Sequence, residues 1–279
     1  MLVYGFDYTL SDFIVERKLS SNYNIHINNC IPPTQDLNKT SQEVNMNKES
    51  ENAPLISLQK ASKSYSEGLT VHPVLNAIDA DFARGECVAL LGRSGSGKST
   101  MLNVISGIDK LDSGKIIIDG IDITNLSEQK RTLFRRKNIG FVFQFFNLIP
   151  TLTVMENIML PLELNGMNNR ESATELLNEV GLFDRKNDYP DKLSGGEQQR
   201  IAIIRALVHD PLVILADEPT GNVDKETGQN ILNIMDRLIR KRNKNLIMVT
   251  HSKEVAKFAD RMLILEEGKL KKHSKEITW

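Results

Sequence analysis

The chain contains both continuous apolar runs and stretches in which apolar and polar residues alternate. Ile78, Ala80 and Phe82 alternate with polar residues, which predicts a half-buried strand. The run Leu212–Ala216 is apolar throughout, as a parallel strand buried on both faces requires. Two further runs, Cys87–Leu91 and Leu246–Thr250, also predict strands.

Helical spacing follows in the middle of the chain. Four apolar residues share one face before a capping glycine: Ala173, Leu176, Leu177, Val180 and then Gly181. Ser194 and Glu197 have the spacing of a capping box, so a helix should begin there and end before Asp210 and Pro211. Ile231, Met235 and Leu238 predict a further amphipathic helix, and residues 262–270 predict a terminal hairpin.

The segment after the predicted strand Ile139–Gln144 is unusually apolar. It is interrupted by Pro150 and Pro161, which argues against one simple core helix. We favour a partner-docking surface over plain core, because exposed apolar patches mark interfaces. The apolar residues are Phe145, Phe146, Leu148, Ile149, Leu152, Val154, Met155, Ile158 and Leu160.

Composition sets limits on the class of protein. Net charge is -1, which gives no reason to expect nucleic-acid binding. Cys30 and Cys87 are too far apart to suggest a disulfide framework or a metal knuckle. No apolar run approaches the length of a membrane span, so membrane work would need another chain to supply it.

The chain divides into three parts by composition. Residues 1–53 are rich in Asn, Ser and Lys in their second half, which predicts a disordered or poorly ordered extension. Residues 54–272 should form the folded domain, and 273–279 a short tail. The first segment fits neither a signal nor a transit peptide, and Met46 is an alternative start for the chain.

The strongest chemical motif follows the run Cys87–Leu91. It has the form G-x-x-x-x-G-K-[ST], and a helical pattern comes directly after it. Glycines let the backbone N–H groups turn toward an anion, and the helix start adds its positive dipole end. This predicts a phosphate cradle built from Gly92, Arg93, Ser94, Gly95, Ser96, Gly97, Lys98, Ser99 and Thr100. Lys98 would reach the β- and γ-phosphates, and Ser99 would hold Mg²⁺.

Acidic residues end one of the buried runs. Asp217 and Glu218 follow Leu212–Ala216, at the edge where α/β sheets bind ligands. Asp217 would hold Mg²⁺ through water, and Glu218 would polarise an attacking water. His251 follows another predicted core strand and should face the γ-phosphate. The paired glycines Gly195 and Gly196 predict a second anion site at a helix start.

Together these motifs resemble the ATP-binding cassette of an ABC transporter over about Leu55 to Leu270. They occur in that family's order, and the assignments run along the chain as follows. Tyr65 resembles the adenine-stacking aromatic, Gly92–Thr100 the Walker A loop and Gln144 the Q-loop glutamine. Ser194, Gly195, Gly196 and Glu197 lie in the signature motif, and Asp217 ends Walker B. Glu218, Asp224 and His251 are similar to the catalytic glutamate, the D-loop aspartate and the switch histidine.

The resemblance implies an α/β fold of the P-loop class. It implies a RecA-like core sheet, an antiparallel β subdomain and a helical signature subdomain. ATP and Mg²⁺ are the implied cofactors, with Ser99, Gln144 and Asp217 at the metal. Glu218, His251 and Lys98 would be catalytic, and ATP would be held by the Walker A residues together with Tyr65, Gln144, the signature residues and Asp224.

The implied partners are a second copy of the chain, head to tail, and membrane permease subunits that dock near Gln144–Leu164. The protein would then lie peripherally on the cytoplasmic face of the cell membrane. Phe145–Leu148 and Gly221–Asp224 are similar to the lipoprotein-release and macrolide-export branch. Departures are small: Glu197 where many members have glutamine, Val223 where leucine is usual and Ser252 where an acid is common.

The sequence argues against two other functions and leaves a third open. A soluble ABC ATPase of DNA repair would need a long coiled-coil insertion between Walker A and the signature, and the spacing leaves no room for one. A translation type would carry two cassettes, and this chain has one. A cell-division complex that moves no substrate is not excluded by the sequence.

Overall fold

Two sheets and a group of helices form the part of the chain described by our computed structural model, residues 53–68 and 70–273. The strands are β1 (Ile56–Glu67), β2 (Thr70–Phe82), β3 (Cys87–Leu91), β4 (Ser113–Ile118), β5 (Ile121–Asp122), β6 (Ile139–Val142), β7 (Val213–Asp217), β8 (Asn245–Val249), β9 (Arg261–Glu266) and β10 (Lys269–His273). The helices are α1 (Lys98–Ile105), α2 (Glu128–Asn138), α3 (Val154–Leu164), α4 (Arg170–Glu179), α5 (Gly195–Leu207), α6 (Lys225–Lys241) and α7 (Lys253–Ala256). Short 3₁₀ turns lie at Phe183–Arg185 and Pro190–Lys192. The predictions for the extension and the tail fall almost wholly outside the described residues.

The smaller sheet is antiparallel, with the order β2-β1-β4-β5. The larger sheet has the order β10-β9-β3-β8-β7-β6. Its strands from β9 to β6 are parallel, and β10 pairs antiparallel with β9 as the predicted terminal hairpin. The carboxyl ends of β3, β7 and β8 therefore open onto the same edge, where the phosphate loop and the acids are expected.

Side-chain alternation along the larger sheet creates two cores. Val213 and Leu215 pack on the face that carries the antiparallel sheet, α1 and α2. Ile214 and Ala216 pack on the opposite face, against residues of α3, α4, α5 and α6. Helices α3–α6 thus share one apolar cluster with this face of the larger sheet.

The local signals in the helical part are confirmed. The Ser194–Glu197 capping box is present at the start of α5. At the end of α4, the N–H of Leu182 donates to Leu177 O and the N–H of Gly181 to Asn178 O, which is a Schellman motif.

The expectation for the segment after β6 is wrong in part. Val154, Met155, Ile158 and Leu160 are buried in the core, whereas Phe145 is 69% exposed. α3 also continues through Pro161. The missing N–H of a proline removes one helical bond, but the buried apolar face of α3 holds the helix in place.

No helix in the described ranges is long and apolar enough to cross a bilayer.

Candidate nucleotide-binding site

The phosphate loop is a tight turn between β3 and α1. Gly97 has φ of 98°, a backbone conformation that residues with a Cβ rarely adopt. A Cβ at this position would lie 2.5 Å from Val74 Cγ1. Glycine is therefore required both by the angle and by the close approach of β2. α1 begins directly after it, so its first N–H groups face the loop without helical partners.

Lys98 is buried at the centre of the loop. Its Nζ donates to Gly92 O at 3.0 Å and to Arg93 O at 2.8 Å. Burial lowers the pKa of the Lys98 ammonium, and the carboxylates of Glu218 and Asp217 oppose that shift. The loop thus holds a cation between its own carbonyls and the acids at the end of β7.

Oxygen ligands converge beside the loop. Ser99 Oγ donates to Asp217 Oδ2 at 3.0 Å, although the two residues are 118 positions apart in sequence. A hydroxyl and a carboxylate next to a phosphate cradle are a donor set that suits Mg²⁺, a hard cation. The structure therefore brings together two of the three residues predicted at the metal.

Glu218 follows in a strained conformation. Its φ is 46°, and its N–H donates to Val249 O at 3.0 Å, which extends the pairing of β7 with β8 by one residue. Its Oε1 lies 3.0 Å from Nε2 of His251. A non-glycine residue in this region is a local strain that the surrounding structure must maintain. In this conformation the carboxylate lies against His251, two residues after the end of β8.

Tyr65 lies near the same helix. Its hydroxyl donates to Asp109 Oδ2 at 2.7 Å, in the turn after α1. Burial and the hydrogen bond to Asp109 raise the pKa of Tyr65, and a hydrogen bond with Thr100 opposes the shift. Tyr65 is 40% exposed, and Lys63 Nζ lies over its ring, 5.2 Å from the centroid. Stacking on adenine stays a prediction.

Gln144 contacts the D-loop. Its Nε2 donates to Asn222 Oδ1 at 3.4 Å, and Asn222 Nδ2 donates back to Gln144 O at 3.0 Å. The structure therefore joins Gln144 to the loop after Glu218 rather than to Ser99 or Asp217. Its predicted place at the metal stays a prediction.

The signature residues cap α5. Ser194 Oγ donates to Glu197 Oε2 at 2.7 Å, and the N–H of Glu197 donates to Ser194 Oγ at 3.3 Å. Hydrogen bonds from the side chain and backbone of Ser194 lower the pKa of Glu197. The glutamate therefore serves the capping box. Gly195 is partly exposed, whereas Gly196 is buried, and a Cβ there would lie 2.6 Å from Thr227 Cγ2.

Two pockets meet at the D-loop. One, of about 310 Å³, is lined by Ser194, Gly195, Gly196, Arg200, Asn222, Val223, Asp224 and Thr227. The other, of about 250 Å³, reaches from Val223 and Asp224 to Glu218 and His251. Asp224 itself accepts from the N–H of Thr227 at 3.0 Å and so caps α6. No Walker A residue lines the pocket at the signature.

Three polar residues near the site escaped sequence reasoning. Asn157 and Gln199 are buried, and Arg205 is partly buried. Each of them donates to main-chain carbonyls of the segment after β6. The only sequence signal was a polar residue within an apolar helical pattern, which does not reveal its partners.

A glycine loop between a parallel strand and a helix, with an acid at the end of another strand of the same sheet, defines a nucleotide-binding protein of the P-loop class. Comparisons with known proteins narrow this class. Residues 75–221 match the family model described as ABC transporter. An uncharacterised ABC transporter ATP-binding protein of Mycobacterium tuberculosis is 54% identical over 220 residues, covering 78% of this chain and 89% of the relative.

Two further relatives agree. The lipoprotein-releasing system ATP-binding protein LolD of Coxiella burnetii is 42% identical over 227 residues, covering 80% of this chain and 97% of LolD. The solved dimer of the ATP-binding cassette MJ0796, in a post-hydrolysis state with ADP and Pi, is 40% identical with a TM-score of 0.71. That match covers 78% of this chain and 98% of the cassette.

The chain therefore belongs to the ABC transporter family. It is an ATP-binding subunit of a transporter, and it hydrolyses ATP. The predicted fold class and the predicted LolD-like branch are confirmed.

Proposed function

We propose that this chain drives a membrane permease by closing around two ATP molecules as a head-to-tail pair. The observation that carries the proposal is the meeting of Ser99, Asp217, Glu218 and His251 beside the phosphate loop. These groups provide oxygen ligands for a cation, a carboxylate for a water and a second polar group at the reacting end of the nucleotide.

Each group has a distinct role in this proposal. Lys98 leaves its loop carbonyls and neutralises the β- and γ-phosphates, and the unpaired N–H groups of α1 add to this. Glu218 orients the attacking water, and His251 faces the γ-phosphate. Phosphoryl transfer depends mainly on such positioning and charge neutralisation.

Mg²⁺ would be held by Ser99 Oγ and Asp217, with Gln144 as a third residue. The ion would neutralise charge between the β- and γ-phosphates. Its fit rests on the oxygen donors that already lie 3.0 Å apart next to the loop. Reaching the ion requires Gln144 to exchange its contact with Asn222 for one at the metal.

The head-to-tail pairing is supported by the separation of the two anion sites. The pocket at the start of α5 joins signature residues to Asp224 but includes none of the Walker A loop. A second copy would bring its Walker A loop, with bound ATP, to this pocket. Tyr65 would stack on the adenine at the outer end of the same nucleotide.

Docking on the permease is assigned to Gln144–Leu164, with Phe145 as the apolar tip. Its 69% exposure next to Gln144 supports this assignment. The protein would then lie on the cytoplasmic face of the cell membrane. Resemblance to LolD favours a complex of the lipoprotein-release or export type.

The test is a pull-down with the Glu218→Gln variant from detergent-solubilised membranes, with ATP and Mg²⁺ present. In an ATP hydrolysis assay of the same variant, we expect turnover to fall by about 100-fold or more, the usual scale for loss of a proton-transfer group, while ATP binding is kept. A multi-span permease should be recovered by mass spectrometry. Glu171→Gln, an exposed acid of α4, is the matched control and should keep normal turnover.

The outcomes separate the parts of the proposal. Normal turnover in Glu218→Gln removes that residue from its role. Recovery of soluble proteins alone, with no permease, contradicts the transporter docking. Replacing Phe145 and Phe146 with serine should weaken membrane recruitment more than ATP hydrolysis, and intact recruitment would reject the docking surface.

A further inference from the structure

The Q-loop segment, residues 143–149, is held by side chains from elsewhere in the chain. Phe143 O accepts from Gln199 Nε2 at 3.3 Å, and Gln144 O accepts from Asn222 Nδ2 at 3.0 Å. Phe146 O and Asn147 O both accept from Arg205, at 3.1 and 2.6 Å. The one position in this run with an exposed aromatic ring, Phe145, lies between these anchors.

Arg205 donates to the segment from both terminal nitrogens of its guanidinium, Nη1 and Nη2. The two acceptors are main-chain carbonyls, so this is recognition of a backbone shape rather than of an acid. Asn147 has φ of 49°, a left-handed conformation that needs support from its surroundings. Burial lowers the pKa of Arg205 to about 10, which leaves the group charged at neutral pH. Hydrogen bonds from a charged donor are stronger than those from a neutral one.

Gln199 links the other end of the segment to the catalytic loop. Its Nε2 donates to Phe143 O and, at 2.6 Å, to Pro219 O, one residue after Glu218. The side chain is fully buried, and its Oε1 has no hydrogen-bond partner among the described residues. One amide group of α5 therefore binds both the residue after β6 and the residue after Glu218.

Both anchors belong to α5, whose first turn is the signature. Arg205 lies eleven residues after Ser194, or about 16 Å along a helix that rises 1.5 Å per residue. α5 also lies unusually close to β6, because a Cβ at Gly140 would be 2.2 Å from Ala206 O. A shift at the first turn of such a packed helix moves its last turn as well.

We propose that Arg205 is a positioning residue that couples the signature end of α5 to the shape of the Q-loop segment, with Gln199 as the second contact. When nucleotide engages the signature, α5 moves as a unit and Arg205 carries Phe146 and Asn147 with it. The proposal rests on the docking role proposed for Phe145, and it assigns the link between that surface and the ATP site to one guanidinium.

The test is amide hydrogen exchange on the full chain, with and without a non-hydrolysable ATP analogue and Mg²⁺. In Arg205→Met, peptides covering 145–149 should exchange about tenfold faster than in the wild type without nucleotide, as expected for a locally released segment. The nucleotide-induced change in these peptides should be lost, while the analogue still binds within about threefold of the wild-type Kd.

Arg237→Met is the matched control. Arg237 also donates to a main-chain carbonyl, Glu179 O at 2.9 Å, but this contact joins α6 to α4. Its removal should leave the exchange of 145–149 and its response to nucleotide unchanged. Arg205→Lys keeps the charge with one donor group and should restore part of the response, which provides the test if the methionine variant does not fold.

A nucleotide response of 145–149 that persists in Arg205→Met, or in Arg205→Lys at full size, overturns the proposal. Loss of analogue binding in these variants overturns it too, because Arg205 would then act on the site itself. Failure of the docking role alone gives a different pair of results. Phe145→Ser would then leave membrane recruitment intact, while nucleotide would still change the exchange of residues 145–149 in the wild type.

Discussion

The Walker A loop and the Q-loop segment are both irregular connections at the edge of the same sheet, yet they are shaped in different ways. Lys98 binds the carbonyls of Gly92 and Arg93, only six and five residues away. The Q-loop segment is bound by Gln199, Arg205 and Asn222, which are 56 to 78 residues away. The lysine that binds the carbonyls of the Walker A loop belongs to that loop, whereas the side chains that bind the Q-loop segment come from distant elements.

This difference suits the different functions that the two loops have in our proposal. A phosphate cradle must have the same shape whenever ATP arrives, so local bonds and glycine geometry are enough. A segment that reports on the ATP site must respond to movement elsewhere, so its bonds have to come from the parts that move. Loss of a distant anchor should therefore affect the Q-loop segment far more than the Walker A loop.

The largest expected effect concerns Asn157, which anchors the next stretch of the same connection. Its Oδ1 accepts from Ile149 N at 2.8 Å, and its Nδ2 donates to the carbonyls of Ile149, Leu152 and Thr153. Asn157→Ala removes the bonds to the N–H of Ile149 and to Leu152 O, whereas Ile149 O and Thr153 O keep the main-chain N–H groups of Leu152 and of residue 157 as donors. We expect a loss of about 3 kcal/mol in the free energy of unfolding, measured by chemical denaturation.

Asn178→Ala is the control for this prediction. Asn178 also donates to a helical carbonyl, Thr174 O at 3.0 Å, but on an exposed surface. The loss there should be within about 0.5 kcal/mol. Equal losses at the two positions would mean that the buried amide does not hold the connection, and the contrast between the loops would fail.

The second prediction tests the local character of the Walker A loop. In Gly97→Ala the new methyl meets Val74 at 2.5 Å and the residue must keep φ of 98°. We expect a loss of about 2 kcal/mol, measured by thermal unfolding without nucleotide. Exchange of residues 143–149 should stay at wild-type rates, because none of their anchors is touched.

Gly95→Ala separates the cost of the positive φ angle from the cost of the contact with Val74. Gly95 has φ of 75°, and a Cβ there would meet nothing within 4 Å. Only the backbone penalty remains, about 1 kcal/mol. If the two variants lost the same stability, the approach of β2 to the loop would have no energetic weight.

The same contrast explains what the sequence could predict. The phosphate loop, the capping box at Ser194 and the acids after β7 are local patterns, and each appears where it was expected. The reach of Arg205 to Phe146 depends on how α5 packs on β6, which no local spacing reveals. Burial of Val154 and Ile158 was missed for the same reason, since an apolar run alone does not distinguish core from interface.

The smallest expected effect lies at the far end of β6. His209, two residues beyond α5, is buried, and its Nε2 lies 3.3 Å from Ile139 O. Because a carbonyl only accepts, Nε2 carries the proton. Nδ1 is buried and has no partner in the part of the chain that the structure describes. Burial lowers the pKa of His209 from 6.5, while Ile139 O and Asp210 oppose the shift and Lys244 adds to it.

The sign of the resulting pH dependence follows from proton counting. Below pH 6.5 His209 binds a proton in the unfolded chain but stays neutral in the folded chain, because its pKa is lower there. The free energy of unfolding therefore falls as pH falls from 6.5 toward the pKa of His209 in the folded chain. His209→Gln keeps a neutral N–H donor and should remove this part of the slope between pH 7.5 and 5.5 in denaturant titrations. His72→Asn, at an exposed position of β2, should leave it in place. A slope unchanged in His209→Gln would mean that the contact between α5 and β6 is insensitive to charge at this end.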